Sequence, residues 1–453
     1  MRFSLTNIGK IAQADIEING LTVLGGYNDI GKSTIGKTLF SVIKTISNRE
    51  QELIGEKAEQ IEQEITDFYV QIRKITGFRL NFPISEEEYD KFKLERKLRI
   101  FEIVSVYIDK MRKELRFMLR EQQDVRESII LNLRKMREDF QTISLEEDTN
   151  IATKISNLLE ILENNINKLL ETEDDESYKY RRVLDNIHES LFKGSVQNKT
   201  AATAVSKITV EEDSYKIQIN LENDHTKLFE IDGSFPFRDV TLIESPLLLD
   251  WSSAVGGINQ RDLYRPRSRI RGFGHYIFDL LDKIQYSTLD SYYSLFTPPL
   301  VHKINKIISG KMYYDSKNSC FLFKQEKITV KSVNLASGIK TFGIIQMLLI
   351  SGTIAADTVL ILDEPEAHLH PEWQLKYAEV ITQLVDMGVY VLVSTHSPYM
   401  IEALKHYSEK LEQEKITNFY LGSVGEHGTV FSDVTQDLNP LFELLAKPMR
   451  RLL

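Results

Sequence analysis

A chain of 453 residues, 42% of them hydrophobic and 27% charged, is long enough for more than one domain and a substantial core. Its one cysteine, Cys320, excludes a disulfide framework and points to a reducing cytoplasm. The net charge of −10 excludes a general polycation but not a local basic groove. Met1 is followed by no recognisable leader, and no run of 18 or more apolar residues predicts a membrane span, so no membrane partner is expected.

Arg2–Asn7, Ala14–Ile18 and Leu21–Leu24 read as short strands. The third feeds Gly26-Tyr27-Asn28-Asp29-Ile30-Gly31-Lys32-Ser33-Thr34, and an amphipathic run, Ile35 to Ile46, follows. Strand, GxxxxGK[ST] loop and helix in that order form a P-loop. Gly26 and Gly31 let the backbone wrap so that amides of the loop, Asn28 and Thr34 included, face a phosphate chain at a helix N-terminus. Lys32 would reach the terminal phosphates, and the Ser33 hydroxyl would join a Mg²⁺ shell. A nucleotide site is the expectation.

From about Ser47 glycine nearly vanishes, and the composition becomes that of long helices. Ile54, Ala58, Ile61, Ile65, Phe68 and Ile72 mark one apolar face. A second helix starts at Ser85, and its stripe from Val104 to Phe140 steps by four and three, with Gln122 as its polar position. Residues 98–140 as one helix would span roughly 65 Å. A third runs from Ile151 to Leu169. Both a projecting antiparallel arm and a helical bundle accommodate this pattern.

Alternation returns in 208–210, 215–221 and 227–231, and Asp239–Ile243 is a further strand. A helix is expected over His275–Ile284, and a hairpin over Lys311–Asp315 and Cys320–Lys324. Asn334-Leu-Ala-Ser337-Gly338-Ile-Lys340 precedes an apolar helix, Phe342–Ile350, and offers a second anion-binding helix start or a simple cap.

Thr358–Leu362 is a continuous apolar run, as a buried parallel strand requires, and it ends in Asp363-Glu364-Pro365. Carboxylates at that end of a strand suit a Walker B site, with Asp363 toward the metal and Glu364 toward the attacking water. Val389–Val393 leads to Ser394-Thr395-His396, where the imidazole reaches the same sheet edge or serves only the fold. His368, His370 and Glu372 read as metal ligands or, better, as a turn and helix start.

Together these motifs resemble the ABC-type ATPase superfamily. Leu335-Ala-Ser-Gly338 is similar to its signature, Asp363-Glu364 to its Walker B, Pro365–Pro371 to its D-loop and His396 to its switch histidine. The run LILDEPEAHLHPEWQ…VLVSTHSPYM resembles the RecF/SMC branch, and within it compact bacterial anti-phage ATPases of the Septu, PARIS and OLD-like kind, without the nuclease domain. The signature departs in reading Leu-Ala-Ser-Gly-Ile-Lys, and no Q-loop glutamine is identifiable.

The resemblance implies an α/β fold: a P-loop ABC-type head of mixed sheet flanked by helices, an antiparallel β subdomain, and a long inserted helical coiled-coil-like region. Its divisions would be an N-terminal lobe (1–47), helical insertion (48–200), β subdomain (201–250), helical connector (251–310) and C-terminal lobe (311–453). It implies a Mg²⁺-dependent ATPase. Two heads would sandwich ATP head-to-tail, with Lys32, Ser33, Asp363, Glu364 and His396 from one copy and Ser337 and Gly338 from the other. A separately encoded effector, a nuclease by preference, would be the partner of a sensor subunit in anti-phage defence. The alternatives are a DNA repair or recombination ATPase of RecF/SMC type acting on ends or gaps, and an ATP-stabilised scaffold. Arg261, Arg265, Arg267, Arg269 and Arg271 are the candidate nucleic-acid contacts, or else intramolecular partners of carboxylates.

Overall fold

Phe3 and Leu5 are buried while Ser4 and Thr6 are not, and this period of two turns one face of β1 (Arg2–Ile8) into the core. In the computed structural model, which describes residues 1–47, 49–76, 104–115, 126–144, 149–171, 175–199, 205–250, 274–288 and 297–450, β1 pairs antiparallel with β2 (Ile11–Glu17). Strand β3 (Leu21–Gly25) then enters helix α1 (Lys32–Ser47). Helices α2 (Arg49–Thr76), α3 (Arg126–Ser144), α4 (Thr149–Glu171) and α5 (Glu176–Phe192) follow, and residues 104–115 are also helical. A meander, β4 (Val205–Glu212), β5 (Tyr215–Glu222) and β6 (His225–Gly233), precedes β7 (Asp239–Ile243).

Next come α6 (His275–Ile284), α7 (Pro299–Ile308) and the strands β8 (Lys311–Asp315), β9 (Cys320–Gln325) and β10 (Ile328–Lys331). Helix α8 (Ser337–Ile350), β11 (Thr358–Asp363), α9 (Pro371–Asp386), β12 (Tyr390–Thr395) and α10 (Pro398–Lys410) then alternate. The described chain ends with β13 (Thr417–Gly425), β14 (Gly428–Asp433) and α11 (Asn439–Arg450).

Eleven strands form one mixed sheet in the order β6-β5-β4-β1-β2-β14-β13-β3-β12-β11-β7, and β10-β9-β8 form a second, antiparallel one. From β13 to β7 every pairing is parallel. Those strands read as apolar runs because helices cover both faces: every residue of β3 and β11 is buried. The first five strands of the order, by contrast, alternate and pair antiparallel.

Helix α8 is buried from Lys340 to Leu349, as an apolar helix at the centre of a head must be. Its fully buried polar residue is satisfied. Gln346 Oε1 accepts from Met312 N–H at 2.7 Å, and Nε2 donates to Asn305 Oδ1 and Gly310 O. The expected start at Phe342 is five residues late, because Ser337 and Gly338 already lie in the first turn.

The described residues fall into two compact units: residues 1–49, 176–250 and 274–450, and, separately, residues within 50–175. In the second unit the predicted apolar stripes meet in one core that includes Ile65, Ile108, Leu133 and Leu162. Polar contacts close the ring. Arg112 Nε reaches Glu62 Oε1 (2.8 Å), Tyr107 OH reaches Asp139 Oδ2 (2.6 Å), Arg137 pairs with Glu163 (2.7 Å), and Asn165 Nδ2 reaches Glu64 Oε2 (2.8 Å). These helices share one core, and Tyr107 meeting Asp139 rules out 98–140 as one straight helix, which would hold the two about 48 Å apart. Ser85, Gln122 and the whole arginine cluster from Arg261 to Arg271 lie outside the described residues.

Candidate functional site

Parallel register gathers the site. Gly25 lies opposite Thr395, and Ser394 lies opposite Asp363, so the carboxyl ends of β3, β12 and β11 share one edge. The P-loop, Glu364 and His396 leave from that edge.

Gly26 has φ 143° and Gly31 φ 92°, conformations that L side chains resist. A Cβ at Gly26 would come within 2.3 Å of Ile30 Cδ1 and 3.2 Å of Gly422 O, so the loop is wound tightly onto β13. The first bond of α1 runs from Ile35 N–H to Gly31 O (3.2 Å). The amides of Lys32, Ser33 and Thr34 therefore have no carbonyl within the helix and face outward as anion donors. Asn28 is exposed at the tip, and Thr34 packs its methyl against Gly9.

Lys32 is buried, and its Nζ donates to Gly26 O (3.0 Å) and Tyr27 O (2.7 Å). Burial lowers its pKa from the ordinary value, an effect opposed by the carboxylates of Glu364, Asp363 and Glu366. Those three acids are thus electrostatic neighbours of the lysine, although about 330 residues of chain separate them. Asp363 accepts a hydrogen bond from Ser394 Oγ and is buried at the end of β11.

Glu364 is left-handed, with φ 47°, a conformation that costs a residue with a side chain on the order of 1 kcal/mol. Its N–H donates to Ser394 O at 2.8 Å, which holds the turn against that strain. The carboxylate is left projecting, 37% exposed, with Oε1 3.5 Å from His396 Nδ1. An exposed acid beside an imidazole, at the mouth of a phosphate cradle, can polarise water.

Glu366, which carried no individual role in the sequence motifs, belongs to the same cluster. Its buried Oε1 accepts from Thr395 Oγ1 (2.6 Å), His396 N–H (2.9 Å) and Ser397 N–H (3.2 Å). A Glu one residue past a Pro looks like an ordinary turn acid; only the fold reveals its burial.

Ser337 and Gly338 open α8 at a helix start whose N-cap, Ala336, has no side-chain bond to offer. Gly338 sits tight against Trp373, where an added Cβ would come within 3.0 Å of Cε3. Among the described residues no hydrogen bond joins either of them to the P-loop. Lys340, in the same first turn, is buried and paired with Asp250 (2.6 Å). His370 caps α9, its Nδ1 accepting from Glu372 N–H at 3.3 Å. Among the described residues no three His, Cys, Asp or Glu side chains form a metal cluster.

These residues fit ATP and Mg²⁺: a wound amide cradle, a lysine that among the described residues hydrogen-bonds to carbonyls of its own loop, and a buried aspartate at the facing strand end. The fold and this site define a P-loop ATPase head. The chain belongs to the AAA ATPase domain family (AAA_15), which matches residues 1–401. Among solved structures it is similar to an SMC head bound to the C-terminal winged-helix domain of ScpA, at 9% identity and TM-score 0.41, covering 96% of this chain and 97% of that one. It is also similar to the SMC head domain from Thermotoga maritima, at 9% identity and TM-score 0.38, covering 96% and 98%. A third is an SMC head with an extended coiled coil bound to the C-terminal domain of ScpA derived from Pyrococcus furiosus, at 9% and 0.39, covering 100% and 98%. No curated protein matches the chain.

Proposed function

We propose that this chain binds ATP with Mg²⁺ and hydrolyses it to ADP and phosphate. One observation carries the reading: register brings the P-loop, Asp363, Glu364 and His396 to one sheet edge, and Lys32 feels the charge of those acids. Lys32 and the amides at the start of α1 would hold the phosphates. Ser33 and Asp363 would hold Mg²⁺, which supplies charge neutralisation at the phosphate oxygens. Glu364 accepts a proton from the attacking water, and His396 fixes that carboxylate and the end of the phosphate chain.

Ser337 and Gly338 have no ligand of their own in this chain. Placed across a head-to-tail dimer they would complete the site of a second copy, as the resemblance to ABC-type heads suggests. The sequence resemblance to compact anti-phage ATPases extends the proposal to a cytoplasmic sensor subunit that controls a separate nuclease or toxic effector. Direct nucleic-acid contact through Arg261, Arg265, Arg267, Arg269 and Arg271 is part of that proposal.

Glu364→Gln tests the core of it. The variant should bind ATP with Mg²⁺ as tightly as wild type while its steady-state hydrolysis falls about 10²–10⁴-fold, the range of a lost general base. Turnover at the wild-type rate would remove Glu364 from the chemistry.

A further inference from the structure

The carboxylate of Glu366 is 4% exposed, and that of Glu364, two residues earlier, is 37% exposed. A carboxylate is buried at high cost unless hydrogen bonds repay the lost water. Among the described residues its three donors are consecutive: Thr395 through its hydroxyl, and His396 and Ser397 through their amides. The second oxygen, Oε2, is buried and has no hydrogen-bond partner among the described residues. Glu366 is thus the anchor for the backbone on both sides of His396.

The other supports of that segment lie further from the imidazole. Ser397 Oγ donates to Gln374 Oε1 (2.7 Å) and caps α10. Thr395 Oγ1 accepts from Ser397 N–H (3.0 Å). His396 Nδ1 lies 3.5 Å from Glu364 Oε1 and 3.6 Å from Glu366 Oε1, and it is buried without a hydrogen-bond partner among the described residues. Both separations are slightly longer than a hydrogen bond, so a small ring shift selects one acceptor. Glu366 Oε1 is already occupied by three donors. Glu364, whose side chain accepts no hydrogen bond from the described residues, is the open one.

We propose that Glu366 is a positioning residue for ATP hydrolysis: by fixing the Thr395–Ser397 backbone it holds the His396 imidazole against Glu364. This rests on the roles given above to Glu364 and His396. It predicts a defect in turnover rather than in nucleotide binding, because every hydrogen bond Glu366 accepts comes from the His396 segment, and of the three acids near Lys32 its charge acts least on that lysine.

Wild type, Glu366→Ala, Glu366→Asp, Glu366→Gln, His396→Ala and the double variant Glu366→Ala/His396→Ala are compared with ATP and Mg²⁺ for kcat, KM and thermal midpoint. Glu366→Ala should lower kcat about 10–100-fold, the cost of a misplaced catalytic group, with KM within about threefold of wild type. Glu366→Asp keeps the charge but withdraws the oxygen by one methylene, and should show the same split. Glu366→Gln retains the accepting oxygen and should return kcat to within about threefold of wild type. The double variant should be no slower than His396→Ala alone, since one residue acts through the other.

Wild-type kcat in Glu366→Ala or Glu366→Asp, with His396→Ala slow, would overturn this inference and leave the site reading intact. So would additive losses in the double variant, or Glu366→Asp failing to fold while Glu366→Gln is folded and active. Wild-type turnover in His396→Ala would instead overturn the reading of the site on which the inference stands.

Discussion

Lys32 donates to two backbone carbonyls of its own loop, at 3.0 and 2.7 Å. Burial destabilises its charge, and the nearby acids only oppose that effect. An ammonium held in this way gains from exchanging neutral carbonyls for anionic phosphate oxygens. A hydrogen bond to a charged group contributes about 1.5–3 kcal/mol, so Lys32→Ala should weaken ATP binding about 10–150-fold. Titration calorimetry with ATP and Mg²⁺ measures it, and an unchanged Kd would exclude Lys32 from the site. A second residue-scale feature is His188, which is buried and neutral: burial pushes its pKa down to about 3. Its Nε2 shares a hydrogen bond with Ser41 Oγ at 2.9 Å, and that hydroxyl also lies 2.7 Å from Thr38 O.

At the scale of elements, α1 is anchored at both ends. Its N-terminus carries the P-loop, and near its C-terminus Lys44, 1% exposed, pairs with Asp279 of α6 (2.5 Å) and Asp239 of β7 (3.1 Å). Lys283 bridges the same two acids, at 2.7 and 2.9 Å. Burial alone would raise the Asp279 pKa, but Lys44 and Lys283 together outweigh it and hold the carboxyl below its ordinary range. Its folded value lies below the unfolded value of about 3.9, so its contribution to stability is complete above that pH and is lost as pH falls toward the folded value. Asp279→Asn leaves Lys44 buried with its nearest counterion gone and should cost about 3–5 kcal/mol at neutral pH. Its acid limb below about pH 4 should also be shallower than that of wild type. Denaturation at pH 7 and at pH 3 checks both; equal stability of the two proteins at pH 7 would show that the cluster is not a structural clamp.

On the scale of the whole molecule, the unit that carries the site is assembled from chain segments on either side of the 50–175 unit. If the site is completed by Ser337 of a second copy, two inactive variants should complement each other. Lys32→Ala removes the phosphate lysine, and Ser337→Arg blocks the facing helix start; each alone should be close to inactive. Mixed in equal amounts they form hybrid dimers with one intact composite site, which should restore up to about a quarter of wild-type hydrolysis. No recovery, with hybrids demonstrated by a size difference between tagged copies, would rule out a shared site.

How much of this is visible in the residues follows from the range of the forces involved. The P-loop, the run ending in Asp363-Glu364 and the strand before His396 are local patterns, so strand, turn and helix were legible without a partner. Helix α6 was legible to the residue, because its apolar face repeats every three or four positions. Helix α5 was not, since its buried face includes His188 and Ser190, polar residues that only the packing partners justify. Strands β13 and β14 carry too few alternations to stand out, yet β13 lies beside β3 and places Gly422 under Gly26. The sequence by itself determined the chemistry available: a phosphate cradle, a lysine, two acids and a histidine. The tertiary structure alone decided that parallel register would align them, that the stripes within 50–175 would meet in one core, and that Glu366 would be buried behind His396. Those outcomes depend on hydrogen-bond register and burial between residues far apart in the chain, and no local pattern encodes them.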